Sequence, residues 1–337
     1  MKALRYYAPR KLQVDDLPKP IPNPDQALIK ILYSGICGSD LHIYRQGMFM
    51  TYAPETLGHE FVGIVETAPL GSGYKKGDIV TANPAVYCNK CEACQRQDFI
   101  HCENLCFIGE VCPGCHAEYM LISPNKLIKF ADSVDIRQAA VVEPLAVAHH
   151  ACKIISQYAK NDIAIFGCGP IGILIGYLLK NMYHIEQITM IDKNQYRLQQ
   201  AAKLSFYQTA AALEEAETKE FSTIVDVTGS AAAFKTELQS LKSRGTLIIA
   251  ALFEELPTAD INILVNKELK IVGDNAYTHE EMQEAVKIIE SNRYDFSWLI
   301  SRFISCDEAP QAFEDLCGRT QDLKIIIDFT DNNSAEK

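Results

Sequence analysis

Four cysteines, Cys88, Cys91, Cys94 and Cys102, fall in one short segment with the spacing C-x2-C-x2-C-x7-C. Thiolates this close can converge on a single tetrahedral Zn²⁺, and four sulfur ligands close the shell against water. A closed shell holds no substrate, so a metal here would serve to fix a loop. A pair of disulfides is the competing reading.

The rest of the 337-residue chain divides by periodicity. Up to about residue 150, short β-like runs (26–33, 61–66, 78–82) alternate with Pro and Gly clusters, as in an irregular and mostly antiparallel β domain. From there, short apolar strands (162–166, 187–191, 222–227, 246–252) alternate with helix-length segments (170–181, 193–204), the pattern of a parallel sheet. The stretch 204–220 reads as surface variation. After about residue 280 the pattern returns to one helix (280–291) and β-like ends (300–304, 324–329). The expected architecture is α/β: a β-rich domain, 1–148 with 282–337, interrupted by a doubly wound domain at 149–281. The tail 331–337 reads as frayed.

A second motif stands at the start of the inserted domain. Gly167, Gly169 and Gly172 form G-x-G-x-x-G directly after an apolar strand, with Pro170 and Ile171 opening a helix. Glycines there permit a tight turn and close approach of a pyrophosphate to the helix N-terminus. Asp192 ends the next strand, 20 residues past Gly172. A carboxylate at that point accepts from ribose hydroxyls and repels a 2′-phosphate, which favours NAD over NADP. Arg197 reads as a solvated or adenine-side residue while Asp192 is present.

A third constellation is chemical. Cys37 is followed by Ser39 and His42, then by His59 and Glu60, and far downstream by Glu143. One thiolate, one imidazole and one carboxylate make three protein ligands and leave a position open, the arrangement of a catalytic zinc. His42 and His101 are competing imidazoles. His59 stands out because Gly58 and Glu60 flank it.

Bulk properties bound the partners. The net charge of −11 argues against nucleic acid and anionic membranes. Residues 1–17 contain no apolar leader, and no run reaches membrane-spanning length. Twelve cysteines without an export signal suggest thiols and metal ligation in a reducing cytoplasm.

Over residues 1–330 the chain resembles zinc-dependent medium-chain dehydrogenases of the branch with sorbitol, other polyol and threonine dehydrogenases. The resemblance is carried by GICGSDLHIY (35–44), LGHEFVGIV (57–65), the four-cysteine lobe, AEY (117–119), EPLAVAHHA (143–151), GCGPIG (167–172) and Asp192. It implies a GroES-like catalytic domain and a Rossmann domain with the active site in the cleft between them. It implies two zinc ions per chain. Cys37, His59 and either Glu60 or Glu143 would hold the catalytic ion, and the lobe the structural one. Ser39 matches the position that relays the alcohol proton and His42 the one that passes it on. Glu143 or Glu60 is an alternative base. Thr228, after the strand ending in Val227, matches a cofactor-contacting position. The implied activity is oxidation of a secondary alcohol of a polyol, sugar acid or similar small molecule. Threonine-type or sugar-phosphate dehydrogenases, a zinc-free enone or quinone reductase, and an idle scaffold are the alternatives. The resemblance implies a homodimer or homotetramer joined by Rossmann sheet edges, with 246–252 and the apolar run 261–265 as the stretch to test and Leu264 as the expected interface probe.

The pattern is departed from at two places. Cys112-Pro113-Gly114-Cys115-His116 precedes AEY where relatives often have Asp-Gly-Gly. It reads as two incidental thiols, with a second metal position or a labile disulfide as alternatives. The segment 273–277 lacks the arginine that many sugar-acid and polyol relatives carry. Arg45 is a candidate cation near the pocket.

Overall fold

The computed structural model of the chain describes residues 1–159, 162–318 and 321–330. The tail 331–337 lies outside the described residues. Two compact units are present, Met1–Glu143 with Thr278–Lys337, and Pro144–Tyr277.

In the inserted unit, six strands form one parallel sheet in the order Gln208–Ala210, Ile188–Ile191, Ile163–Phe166, Phe221–Asp226, Leu241–Ile249, Lys270–Gly273. Chain order reverses beside Ile163–Phe166, the switch point at which such sheets bind ligands. That strand is buried at all four residues, which is why it reads as an unbroken apolar run rather than an alternating one. Phe166 pairs with both Ile191 and Asp226, so the three strand ends carrying the fingerprint, Asp192 and Thr228 are adjacent.

The stretch 204–220 is more than surface variation, since Gln208–Ala210 within it is an edge strand. Three residues, two of them polar, are too few for periodicity to register. Lys270–Gly273 at the opposite edge, exposed or half-buried throughout, escaped for the same reason.

The β-rich unit contains a seven-stranded sheet in which Ala27–Gly35 is central, hydrogen-bonded to Glu60–Thr67, Lys324–Asp328 and Tyr119–Ile122. Its pairings are antiparallel except for Ile300–Ile304 with Lys324–Asp328. Leu4, Ile29, Ile31, Phe61, Phe313 and Ile327 lie in its core. Two register facts position the site. Gly35 lies opposite Glu60, and Ile326 lies opposite Gly35. The end of one strand, the start of the next and the head of the C-terminal strand therefore meet.

Candidate active site

The lobe forms as its spacing predicts. The ligand atoms of Cys88, Cys91, Cys94 and Cys102 lie within 4.8 Å of one another. All twelve cysteines are free, and Cys88 Sγ is 3.9 Å from Cys94 Sγ, far outside a disulfide bond. Backbone N–H groups of Cys91 and Cys88 donate to the sulfurs of Cys88 and Cys102 at 3.4 and 3.3 Å. Backbone donors around Cys88 lower its pKa to about 6, whereas burial pushes Cys94 up to about 12. Four converging sulfurs with amides aimed at them fit a tetrahedral zinc. His101 pairs with exposed Asp98 at 2.7 Å beside this lobe and does not join the other cluster.

Cys37, His59 and Glu60 form the second cluster, again with ligand atoms within 4.8 Å. The register of Gly35 against Glu60 accounts for it: Cys37 leaves one strand two residues beyond Gly35, and His59 precedes its neighbour. Cys37 caps the helix Gly38–Gln46, and its N–H donates to Asp40 at 2.8 Å. Ser39 on that helix places Oγ 3.5 Å from His59 Nε2. His42, one turn on, receives a hydrogen bond from Arg45 Nη2 to Nδ1 at 3.1 Å, so Arg45 serves the imidazole directly. Glu143 is buried at the start of the helix Val142–Tyr158. It lies outside the 4.8 Å set but close enough for its charge to act on His59 and Lys324.

The charges around His59 show what the cluster accepts. Burial alone would lower its pKa. The charges of Cys37, Asp40 and Glu143 outweigh burial and push it well above the ordinary value. Anionic donors thus crowd one buried imidazole, an arrangement that a divalent cation neutralises. The donor set, one sulfur, one nitrogen and one oxygen, fits zinc with an open position.

Three buried neighbours support the cluster, and two of them, Lys324 and Asp40, escaped the sequence reading. Lys324 Nζ donates to both Glu60 carboxylate oxygens at 2.7 and 2.8 Å and to the Ile36 carbonyl at 3.0 Å. Burial lowers its pKa, and Glu60 and Cys37 more than reverse this. Asp40 faces both His59 and His116, at 3.9 and 3.5 Å. Burial would raise its carboxyl, yet the two imidazoles hold it below the usual range. Cys115 is buried beside Glu60, donates to its carbonyl at 3.4 Å, and is kept a thiol by burial. Neither Cys112 nor Cys115 belongs to a metal cluster among the described residues. Asp40 had a signal, an acid three residues past the cap. Lys324 had only that of a lone cation heading an apolar strand.

The cofactor motif folds as a strand, a turn and the helix Pro170–Asn181, with Gly169 as N-cap. A Cβ on Gly172 would lie 1.9 Å from the Gly167 carbonyl oxygen, so only glycine lets the helix start this close to the turn. Asp192 accepts from the N–H groups of Cys168 and Asn194, both at 2.7 Å, and is thereby anchored beside the loop. A Cβ on Gly169 would lie 3.9 Å from Arg197 Nη1, which places the guanidinium over the glycine turn rather than out in solvent. Thr228 donates to Asp226 at 2.7 Å and lies against Gly167. Gly167, Gly169, Gly172, Asp192, Arg197 and Thr228 are therefore brought together.

Comparison with known proteins places this geometry. A family model for the alcohol dehydrogenase GroES-like domain matches residues 23–132, and one for zinc-binding dehydrogenases matches residues 170–291. The chain is 30% identical to a sorbitol dehydrogenase of Bacillus subtilis over 346 residues, covering 97% of each chain. It is 29% identical to a sorbitol dehydrogenase of Halalkalibacterium halodurans, over 89% of this chain and 91% of that one. The crystal structure of 2R,3R-butanediol dehydrogenase from Bacillus subtilis superposes with a TM-score of 0.85 at 26% identity, over 97% of this chain and 99% of that one.

Proposed function

We propose that this chain, which belongs to the zinc-binding alcohol dehydrogenase family, polyol branch, and is an oxidoreductase, oxidises a secondary alcohol of a polyol, sugar acid or similar small molecule to the ketone, with NAD as hydride acceptor and two zinc ions per chain. The observation that carries the reading is the convergence of Cys37, His59 and Glu60 in one buried cluster, separate from the lobe.

Cys37, His59 and Glu60 would hold the catalytic ion, with Glu143 beside them. Zinc bound there would lower the pKa of an alcohol oxygen, and the nicotinamide would take the hydride. The protein's own groups deal with the proton and the charge. Ser39 Oγ, next to His59 Nε2, is placed to accept the alcohol proton. His42 lies one helical turn further along, in reach of a relay towards solvent, and Arg45 fixes its ring. Glu143 is the alternative base. Lys324 offsets the charge of Glu60, which keeps the buried cluster from accumulating unbalanced carboxylate. On the cofactor side, the helix N-terminus at Gly169 would receive the pyrophosphate and Asp192 the ribose.

Among substrate classes, the segment 273–277 carries no cation, and Asp274 there lies 3.5 Å from His150. A neutral polyol is favoured over a sugar acid or phosphate ester on that ground. NADH formation from a panel of neutral polyols, sugar acids, threonine and sugar phosphates tests this, and turnover confined to the anionic members would refute it. NADP in place of NAD is expected to lose efficiency.

No helix among the described residues is long and apolar enough to cross a membrane. We place the enzyme in the cytoplasm as a homodimer or homotetramer joined through the edge strand Lys270–Gly273. Ile271 on that strand is exposed, as are Ile261 and Val265 at the helix Asn262–Lys267 that precedes it. Leu264 is half-buried against the unit's own core, so a charge there would disturb the fold as well, and the exposed Val265 is the cleaner probe. Val265→Asp is expected to shift sedimentation to a smaller species, and an unchanged profile would dismiss this edge as the interface.

A further inference from the structure

We propose that His116, braced by Ser34 and Cys115, is a positioning residue that fixes Asp40 and through it the orientation and tautomer of His59. This rests on the metal reading of the Cys37/His59/Glu60 cluster.

The imidazole of His116 is fully buried. It lies directly against Gly58, the residue before His59. A Cβ at position 58 would fall 2.4 Å from His116 Nδ1, and the backbone there has φ +96°. The glycine of the G-H-E motif thus makes room for a second imidazole behind the first. Ser34 Oγ lies 2.7 Å from His116 Nδ1 and 3.1 Å from Cys115 Sγ. The Glu60 carbonyl is shared, 3.1 Å from Ser34 Oγ and 3.4 Å from Cys115 Sγ.

The protons can be placed. The Cys115 thiol serves the Glu60 carbonyl, which releases the Ser34 hydroxyl proton for His116 Nδ1. The ring proton of His116 is then on Nε2, 3.5 Å from Asp40 Oδ2. Asp40 Oδ2 also receives the Cys37 N–H, and Oδ1 turns to His59 Nδ1 at 3.9 Å. A carboxylate facing Nδ1 puts the His59 proton there and leaves Nε2, on the Ser39 side, as the nitrogen able to hold a metal.

One feature points to a ligand-dependent set. His116 Nε2, Asp40 Oδ1 and His59 Nδ1 are all buried without a hydrogen-bond partner. Buried polar atoms are seldom left so. His116 Nε2 faces Asp40 Oδ2 at 3.5 Å and His59 Nδ1 faces Asp40 Oδ1 at 3.9 Å, gaps that small movements of His59 and Asp40 would close. Cys115 belongs to this set, which gives the second thiol of the C-x2-C a role that needs no partner in Cys112.

The test uses intact protein purified without chelator. Zinc per chain is counted, zinc affinity is measured by chelator competition, and the visible spectrum is recorded after cobalt substitution. His116→Phe is expected to weaken the second site by about 10- to 100-fold and to shift the cobalt bands. The four-cysteine zinc should stay, reporting an intact fold. His116→Gln, which returns a donor near the Nε2 position, should recover part of the loss. Ser34→Ala should lose less than His116→Phe, in the same direction. Wild-type affinity and an unchanged cobalt spectrum in His116→Phe would overturn the proposal. If His116→Phe also loses the lobe zinc, Ser34→Ala decides, and an unaltered second site there overturns it as well. Wild-type protein that binds only the lobe zinc would instead refute the metal reading, and the proposal with it.

Discussion

The two clusters are built by opposite means. The lobe draws its four ligands from one short segment and supports them with backbone N–H groups of that same segment. The Cys37/His59/Glu60 cluster is assembled from two strand ends and supported by buried ionisable side chains: Lys324 on Glu60 and Asp40 with His116 behind His59. The first arrangement closes a shell. The second leaves an open position but confines charge, and confined charge needs partners. A structural site can therefore be local in sequence, while a chemical site recruits support from across the fold.

The largest effect expected from breaking this contrast is in catalysis. His59→Ala should remain folded and lose several kcal/mol of transition-state stabilisation, at least ~10³-fold in kcat/KM. Near-normal turnover would mean that the open cluster is not the reaction centre. Next comes the counter-charge. In the metal-free protein, Lys324→Met leaves the Glu60 carboxylate buried without its counter-charge, and is expected to cost about 3–5 kcal/mol in urea unfolding. A variant as stable as wild type would show that the pair does not hold the site.

The lobe should fail differently. Cys91→Ser with Cys94→Ser is expected to release the lobe zinc and open the segment to trypsin at Lys90 and Arg96, while zinc stays at the other cluster. Loss of both ions together would merge the two sites into one cooperative unit. The last effect appears only as a pH dependence and concerns a buried carboxyl without a counter-charge. Glu237 has no hydrogen-bond partner among the described residues, and burial pushes its pKa to about 9. Its folded pKa is raised, so its contribution to stability is fully present below the unfolded value of 4.5 and falls away as pH rises towards 9. Glu237→Gln should flatten the stability profile over that window in melting scans from pH 5 to 9, and a profile parallel to wild type would contradict the assignment.

The same contrast explains what the sequence disclosed. The lobe and the glycine turn were legible because each is short and its residues have one common purpose. Cys37, His59 and Glu60 were legible as residue types, and the register of Gly35 against Glu60 supplies the reason they meet. Lys324 was not, because its partner is 264 residues away and a single lysine before an apolar strand looks like a surface residue. His116 was hidden similarly, since its meaning depends on Gly58, Ser34 and Asp40, none of them its neighbour in sequence. The edge strands Gln208–Ala210 and Lys270–Gly273 were too short and too polar to show a period. That Leu264 packs partly against its own core was not legible, because burial on a six-residue helix is decided by the sheet beneath it.

The central claim is that two independent metal sites coexist in one chain. Zinc per chain, counted on wild type and on His59→Ala purified without chelator, tests it most directly. The account predicts about two ions falling to about one. One ion in both proteins would contradict it, and the reaction would then have to be explained without a metal at Cys37 and His59.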